Sequence, residues 1–588
     1  MATETPLRAP PLSWAAAGLL VGAAVCLGLA APAEAVSASA PTPVFASTPV
    51  FASAPVAATA SRAPDYGDYM SARFAWERGD FAQAGSRFEA LSNRNPDRTA
   101  WIDAAISAHL GAGDPDAALR VAQTCRRGGL TGPAHEARLV LAADALRHRR
   151  WREAEELLGG AATDVAHTAT FRLAAGLLHV WAAAGRGDSE AALARLRVLP
   201  RSRAITLAAP FQQAMLLESA RRFAEADIAY EAAAEGDAVW VEGLLSYAAY
   251  LERRRGLETS RAYLESLRGL LSEEGVAAAL TGRYRPPASS PHRNAALGLV
   301  GLGRGLAAED AAFDAALVLS LALVADPDLD SGRLFLAAQL HAMGQNDRAR
   351  ATAEAVASGS VYEPAAQIMI AELIAANGHT EEALARIQGL AAQTPSLMSM
   401  VALAHLALEV GANATAEEAF SWLIARDAET PVDWRVWLGR ARVRERLGHW
   451  LEAQADIRRA LALQPDQPVL LIAQARSLLR NGGAPEEALG LMERAYRADP
   501  RGPATLTGMG EASLAVGRLE DAVAFLDQAL RSAPGDAGIA ESLGDALWRL
   551  GDRRRARYMW SRALSRVTDE GARAVLAGKL DFGLDQAP

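Results

Sequence analysis

The residues that most often perform catalysis or bind metals are scattered through this sequence of 588 residues. None of the ten histidines belongs to an H-E-x-x-H motif or to another close pair, and two cysteines, Cys26 and Cys125, are too few for a Cys-rich metal site. The sole lysine, Lys579, does not belong to a G-x-x-x-x-G-K-[ST] phosphate loop. We therefore predict a non-enzyme with no catalytic residue, cofactor or metal ion. A reactive Cys125 and a metal site assembled from distant histidines are the alternatives.

A glycine-rich stretch, GLVGLGRG at 298–305, has some features of a dinucleotide-binding loop. Its last glycine falls one position early for the G-x-G-x-x-G spacing, and the surrounding pattern is helical where such a site needs a preceding strand. We interpret these glycines as small residues at a contact between helices.

A set of arginines suggests chemistry of a different kind, the recognition of carboxylates. A guanidinium can bind a carboxylate through two parallel hydrogen bonds, which favours arginine wherever acidic groups are recognised. The candidates for partner binding are Arg435, Arg442, Arg446 and Arg480, together with Trp548. The alternative is that these arginines pair with Glu and Asp side chains of the protein itself.

The overall charge limits the kind of partner. The formal net charge is -9 and the isoelectric point is near 5.7, whereas proteins that bind nucleic acids usually carry a basic face. We therefore expect a protein or peptide partner, with an acidic segment facing the arginines, and no nucleic acid.

A regular spacing of small residues predicts the helices that position these side chains. Gly448 is followed by Ala453, Ala460 and Pro465, and the same offsets recur elsewhere. Apart from one step of 56 residues, successive copies of the first alanine position are 33 to 38 residues apart, at Ala84, Ala118, Ala154, Ala192, Ala226, Ser260, Ala316, Ala349, Ala383, Ala419, Ala453, Ala488, Ala522 and Ala556. Each unit is a pair of helices in which Gly ends the first helix, alanines allow close approach and Pro stops the second helix.

This pattern resembles the tetratricopeptide-repeat family, whose period is about 34 residues. The resemblance covers about 65–566, or some fourteen units, and the layout is similar to exported bacterial members of unassigned role. It implies an all-α fold, an α-solenoid superhelix in two lobes. In this family the first helix of each pair lines a concave groove that can hold a peptide. By register, the four arginines lie on that face, and Glu511, Asp545 and Trp548 lie further along it.

The N-terminus has the features of an export signal. Arg8 precedes an apolar run from Trp14 to Ala31, and Ala33 and Ala35 form an A-x-A pattern for cleavage before residue 36. This predicts a periplasmic protein with no integral membrane domain after cleavage. The alternatives are an uncleaved segment that anchors the chain to the inner membrane and a lipid on Cys26.

The expected domain boundaries follow from the repeats and from the Pro-rich segments between them. They are a signal peptide at 1–35, a disordered tether rich in Pro, Ala and Ser at 36–64, a lobe of about six repeats at 65–280, a Pro-rich loop at 281–294, a lobe of about eight repeats at 295–566, and a capping helix with a tail at 567–588.

These features predict an exported, non-enzymatic scaffold that binds a protein or peptide partner in its groove and assembles a cell-envelope complex. The second hypothesis is an accessory subunit of exopolysaccharide synthesis or export.

Overall fold

The computed structural model describes residues 63–128, 134–159, 168–200, 202–235, 241–267, 289–393, 395–426 and 432–584. These ranges contain 29 α-helices and no strand. The predicted all-α solenoid class is therefore confirmed. The predicted signal peptide, almost all of the tether and most of the loop at 281–294 lie outside the described residues.

The chain divides into two compact units. Among the described residues, those up to Ser399 belong to the N-terminal unit and those from Met400 onward to the C-terminal unit, so the boundary falls within a helix. The predicted partition into lobes at 65–280 and 295–566 stays a prediction, because the loop that would separate them is mostly outside the described ranges.

The N-terminal unit contains 18 helices within the described ranges. They are α1 (Ala63–Glu77), α2 (Phe81–Arg94), α3 (Thr99–Gly111), α4 (Pro115–Arg127), α5 (His135–Arg147), α6 (Trp151–Leu158), α7 (Ala169–Gly185), α8 (Ser189–Arg197), α9 (Arg203–Ser219), α10 (Phe223–Ala234), α11 (Val241–Arg255), α12 (Leu257–Ser266), α13 (Pro291–Ala307), α14 (Ala312–Ala325), α15 (Asp330–Ala342), α16 (Asn346–Glu354), α17 (Glu363–Ala376) and α18 (Thr380–Gln393).

The C-terminal unit begins within α19 and is built from the same kind of helical pairs. Its helices are α19 (Leu397–Glu409), α20 (Asn413–Ile424), α21 (Trp434–Leu447), α22 (Trp450–Leu463), α23 (Pro468–Arg480), α24 (Pro485–Ala498), α25 (Pro503–Ala515), α26 (Leu519–Ser532), α27 (Ala537–Leu550), α28 (Arg553–Leu564) and α29 (Glu570–Phe582). Within the described ranges, none of the 29 helices combines the length and the apolar character that crossing a bilayer requires.

The turn inside each pair follows from its sequence. Gly448 ends α21 with a φ of +81°, in the left-handed region where a side chain is strained. In other turns an aspartate caps the second helix: the Asp114 carboxylate accepts a hydrogen bond from the backbone amide of Ala117 at 2.9 Å. The pair therefore closes through local backbone chemistry.

Alanines and one large residue per unit fill the space between the helices. Ala453 and Ala460 are fully buried, as are Leu526 and Trp560, which occupy the large position in their own units. Burying a side chain of that size contributes about 1.5 to 3 kcal/mol. Pro465 follows the end of α22, where it prevents the helix from continuing.

The N-terminal unit departs from a simple stack, in which each repeat contacts only its neighbours. Helix α14 packs against α3, α4 and α5, and α13 packs against α7 and α9. The Ser320 hydroxyl donates a hydrogen bond to the carbonyl of Leu110 at 2.7 Å, and the rings of Phe313 and Phe81 lie 4.5 Å apart. The chain's own helices thus cover the first helices of its early repeats.

Candidate partner-binding groove

One row of polar residues runs along the first helices of the C-terminal unit. In α19, α21, α23, α25 and α27 the ninth residue of the helix is charged or is a histidine, and α29 adds a lysine at its tenth position. We call these six residues the polar row: His405, Arg442, Arg476, Glu511, Asp545 and Lys579. Because they occupy equivalent positions in successive repeats, they belong to the same face of the unit.

Two neighbouring pairs in the polar row neutralise each other. Arg476 donates from Nε to a carboxylate oxygen of Glu511 at 2.9 Å. Lys579 donates from Nζ to the two carboxylate oxygens of Asp545 at 2.8 and 3.0 Å. It also donates to Glu541, which lies in α27 with Asp545, at 2.6 Å. Four of the six positions are therefore internally compensated.

The electrostatics of the second pair reflect burial opposed by ion pairing. Burial raises the pKa of the Asp545 carboxyl above its ordinary value, while the Lys579 ammonium and the Trp560 indole N–H, 2.8 Å away, hold it down. Burial alone would lower the pKa of Lys579, but its hydrogen bonds to Asp545 and Glu541 outweigh burial and raise it.

Arg442 differs from its neighbours because, among the described residues, no hydrogen bond or ion pair joins its guanidinium to another side chain. The side chain is half-buried. Burial has the largest effect and lowers the pKa of Arg442. The positive charges of Arg446 and Arg476 lower this pKa further, whereas the Glu445 carboxylate raises it. The pKa of the neighbouring His405 is also lowered, mainly because the residue is buried and to a lesser degree because of the positive charge of Arg442. Arg442 thus has one acidic neighbour, Glu445, to which it is not hydrogen-bonded, and two arginine neighbours, Arg446 and Arg476, that repel it.

The other arginines in the middle of α21 show what compensation looks like here. Arg440 binds the Asp456 carboxylate with both nitrogens, at 2.9 and 2.8 Å, and Arg444 reaches the same carboxylate at 2.8 Å. Arg444 also donates to Glu417 at 2.9 Å. Asp456 is buried, so these bonds satisfy a carboxylate that water does not reach.

The remaining predicted arginines, Arg435, Arg446 and Arg480, are exposed. Arg435 is exposed and bonds to Asp433 two residues away, at 3.1 and 3.2 Å. Arg446 donates to the carbonyl of Leu408 at 2.6 Å. Arg480 lies 3.6 Å from Glu445 and is mostly exposed. The exposed ion pairs of Arg435 and Arg480 contribute about 0 to 1 kcal/mol, so a partner can replace them.

Trp548 lies apart from the arginines, near the end of the chain. The centre of the Trp548 ring is 5.3 Å from the centre of the Trp560 ring. The guanidinium carbon of Arg553 lies 5.1 Å from the centre of the Trp548 ring. A Cβ on Gly583 would come within 2.1 Å of the ring, so the chain after α29 packs directly on Trp548. The structure therefore gives this side chain a packing role. Its predicted contact with a partner is untested.

Sequence reasoning selected Arg442, Arg446 and Arg480, which the structure brings close together around Glu445. It missed Arg476 and the flanking His405. The signal for Arg476 was present, since it follows Arg442 by 34 residues, one repeat period. The assignment of these residues to partner binding stays a prediction.

Two segments of the C-terminal unit, residues 401–468 and 479–544, match family models described as tetratricopeptide repeat. The TPR repeat-containing protein PA4667 of Pseudomonas aeruginosa is 28% identical over 203 residues, which are 34% of this chain and 34% of that protein. The match thus spans about a third of the length of that curated relative. These two segments thus contain tetratricopeptide repeats, in agreement with the resemblance found in the sequence.

Three solved structures match this chain at low identity and low TM-score. A chain of the APC/C hetero-tetramer Cut9–Hcn1 is 13% identical, with 89% of this chain and 97% of that chain covered and a TM-score of 0.38. A tetratricopeptide repeat protein of Parabacteroides merdae is 17% identical, with 42% and 97% covered and a TM-score of 0.34. YrrB, described as a TPR protein with an unusual peptide-binding site, is 16% identical, with 32% and 95% covered and a TM-score of 0.25. These likenesses carry no functional information.

The repeats indicate a protein-interaction scaffold, whose fold is typically non-enzymatic. Within the described ranges, no three His, Cys, Asp or Glu side chains gather into a cluster that could hold a metal ion. The polar row presents charged side chains, which can bind groups of the opposite charge.

Proposed function

We propose that the C-terminal unit binds an acidic segment of a protein partner across the polar row, with a carboxylate of the partner seated on Arg442. The protein then acts as a non-enzymatic scaffold that assembles a complex in the cell envelope. The observation that carries this proposal is the half-buried Arg442 guanidinium, which forms no hydrogen bond or ion pair with an acid among the described residues.

A bound carboxylate would complete the electrostatics of the polar row. Burying a cation without a partner is costly, and both Arg446 and Arg476 add repulsion. An anion at Arg442 removes this cost and gains two charge-assisted hydrogen bonds. Around it, the exposed Arg435, Arg446 and Arg480 extend the positive surface toward neighbouring acidic residues of a peptide.

The cell-envelope part of the proposal is supported by the sequence of the N-terminal segment. The apolar run from Trp14 to Ala31 and the A-x-A pattern at Ala33 and Ala35 favour export with cleavage before residue 36. Fractionation of cells that carry a tagged chain tests this part separately. A tagged protein confined to the cytoplasm would contradict export without bearing on the groove.

The groove is tested by capturing partners from a cell-envelope extract with the wild-type chain and with Arg442→Glu. A charge reversal repels an anionic partner and lets the new carboxylate pair with Arg476. We therefore expect the wild-type partners to be depleted about tenfold or more, since hydrogen bonds to charged groups contribute about 1.5 to 3 kcal/mol.

The matched control is Arg458→Glu, the same substitution at an exposed position of α22, the second helix of the same pair. It changes the net charge equally but leaves the polar row intact. Equal recovery of partners by the wild-type chain and Arg442→Glu would contradict the proposed site, and so would equal losses with the two variants.

A further inference from the structure

A group of positive charges lies at the start of α28, outside the polar row. The helix begins with Arg553, Arg554 and Arg555 and continues with Arg557, and all four side chains are exposed. None of its 12 residues is acidic. Among the described residues, the one ion pair of these arginines joins Arg555 to Asp552 at 3.8 Å. We call these four arginines the basic patch.

The basic patch opposes the electrostatics of the helix that carries it. The N-terminus of a helix has a partial positive charge and favours acidic residues in the first turn. The second helices of the three preceding repeats follow this rule, with Glu452 in α22, Glu486 and Glu487 in α24, and Glu520 and Asp521 in α26. Helix α28 has arginines there instead. Its charge therefore does not stabilise the helix, and departures from such local rules are expected at functional sites.

A second run of three arginines, at 253–255, shows how the protein neutralises such a cluster. It lies in the last turn of α11, where positive charge suits the helix dipole. Arg253 donates to Glu218 at 2.5 Å, and Arg255 lies 3.5 Å from Asp227. In the basic patch, by contrast, three of the four arginines have no ion pair within the described part of the chain, which leaves their charge for an external anion.

Aromatic side chains position and border the basic patch. The guanidinium carbons of Arg553 and Arg557 lie 5.1 and 5.9 Å from the centre of the Trp548 ring, so the indole holds both cations without neutralising them. Tyr558 is 64% exposed and follows Arg554 by four residues, which places the two side chains next to each other on the helix surface. The exposed face of α28 thus combines four cations with an aromatic ring.

We propose that the basic patch binds the phosphate groups of an anionic phospholipid surface, with Tyr558 at the level of the headgroups. Successive residues of a helix point about 100° apart, so a single anionic group cannot contact all of the arginines, whereas a layer of headgroups can. Clusters of four or more basic residues on an amphipathic helix recognise such surfaces, and tyrosine is enriched where membrane meets water.

The contact with the lipid is peripheral. The small and apolar side chains of α28, Ala556, Trp560 and Ala563, are buried inside the protein, so they are not available for insertion into a bilayer. Binding therefore rests on the arginines and on Tyr558. This site is independent of the function proposed for the polar row.

The experiment uses the full chain with an environment-sensitive dye on α28. The apolar run at 14–31 can itself bind a bilayer, so the readout must be local to the basic patch. Cys26→Ser and Cys125→Ser remove the two native thiols, and Ser561→Cys places the dye on the exposed face of α28, one turn after Arg557.

The labelled chain is titrated at low salt with vesicles of equimolar phosphatidylglycerol and phosphatidylcholine, and separately with vesicles of phosphatidylcholine alone. We expect the anionic vesicles to shift the dye emission to the blue in a saturable manner. Added salt should reverse this shift, because the contact is electrostatic. The neutral vesicles should leave the emission unchanged.

The decisive variant combines Arg553→Gln, Arg554→Gln and Arg555→Gln in the labelled chain. An arginine close to an anionic bilayer strengthens binding about fivefold, so we expect this variant to need at least about tenfold more anionic lipid for half of the blue shift. Its stability in urea should be unchanged or slightly higher, since the substitutions remove positive charge from a helix N-terminus.

The matched control combines Arg458→Gln, Arg497→Gln and Arg501→Gln, at three exposed arginines of earlier repeats. It changes the net charge of the protein by the same amount but leaves α28 intact. The labelled control should therefore respond to anionic vesicles as the labelled parent chain does.

Four results would overturn the proposal. The dye could fail to respond to anionic vesicles, neutral vesicles could produce the same shift, or the decisive variant and its control could respond equally. In the fourth, soluble hexaglutamate would shift the dye at as low a concentration of negative charge as the vesicles, which would assign the basic patch to an acidic protein segment instead.

Discussion

The arginines of the C-terminal unit differ in what neutralises them, although the sequence presents them as one kind of residue. Arg440 and Arg444 share the buried carboxylate of Asp456, and Arg476 binds Glu511. Arg442, one repeat before Arg476, lacks such a bond among the described residues. The difference between these arginines therefore depends on whether another helix places an acidic side chain within hydrogen-bonding distance. The residue type does not predict which arginine is paired, and the repeat period predicts it only in part.

At the same scale, Lys579→Met tests the compensation of the polar row. The substitution leaves the Asp545 carboxylate with the Trp560 indole alone, and we expect the free energy of unfolding to fall by about 2 kcal/mol, between the values for exposed and for buried pairs. Urea unfolding at pH 7 measures this loss. A change below about 0.5 kcal/mol would show that the pair contributes little.

The pH dependence of the same variant has a definite sign. Lys579 holds down the pKa of Asp545 against burial, so without it that pKa rises further. The ionised carboxylate is what the variant destabilises, and this form disappears as the pH falls through the pKa of Asp545. The difference in stability between wild type and Lys579→Met should therefore be smaller at pH 4 than at pH 7. A difference that grows on acidification would contradict this assignment.

At the scale of helices, local rules predicted the pairs well. The recurring Gly, Ala and Pro positions correspond to a left-handed helix end at Gly448, to buried contacts at Ala453 and Ala460, and to a helix stop before Pro465. These features are predictable because each depends on residues near in sequence. The packing of α13 and α14 on α3, α4, α5, α7 and α9 was not predicted, since a repeat period encodes contacts between neighbouring repeats only.

Two glycine substitutions with opposite expected signs test the local rules. Gly448→Ala forces a side chain into a left-handed backbone and should destabilise the protein by about 1 kcal/mol. Gly490→Ala lies inside α24, where an added methyl meets no other atom within 4 Å, and should stabilise it by about 0.5 to 1 kcal/mol. Urea unfolding of both variants measures the signs. Equal effects of the two substitutions would contradict the role given to the turn.

At the scale of the whole molecule, the two units use the same helical pairs differently. In the N-terminal unit, α13 and α14 cover the first helices of earlier repeats, so that face is occupied by the chain itself. In the C-terminal unit, the polar row stays accessible at Arg442 and is flanked by exposed arginines. The candidate groove for a partner is therefore the one on the C-terminal unit, where the Arg442 guanidinium has no ion pair among the described residues.

The most direct test is a titration of the full chain with a fluorescent hexaglutamate peptide, followed by fluorescence anisotropy. We predict saturable binding to the wild-type chain that weakens with salt, an affinity at least about tenfold lower for Arg442→Gln, and an unchanged affinity for Arg458→Gln. The same affinity in all three proteins, or no binding to the wild-type chain at low salt, would contradict the account.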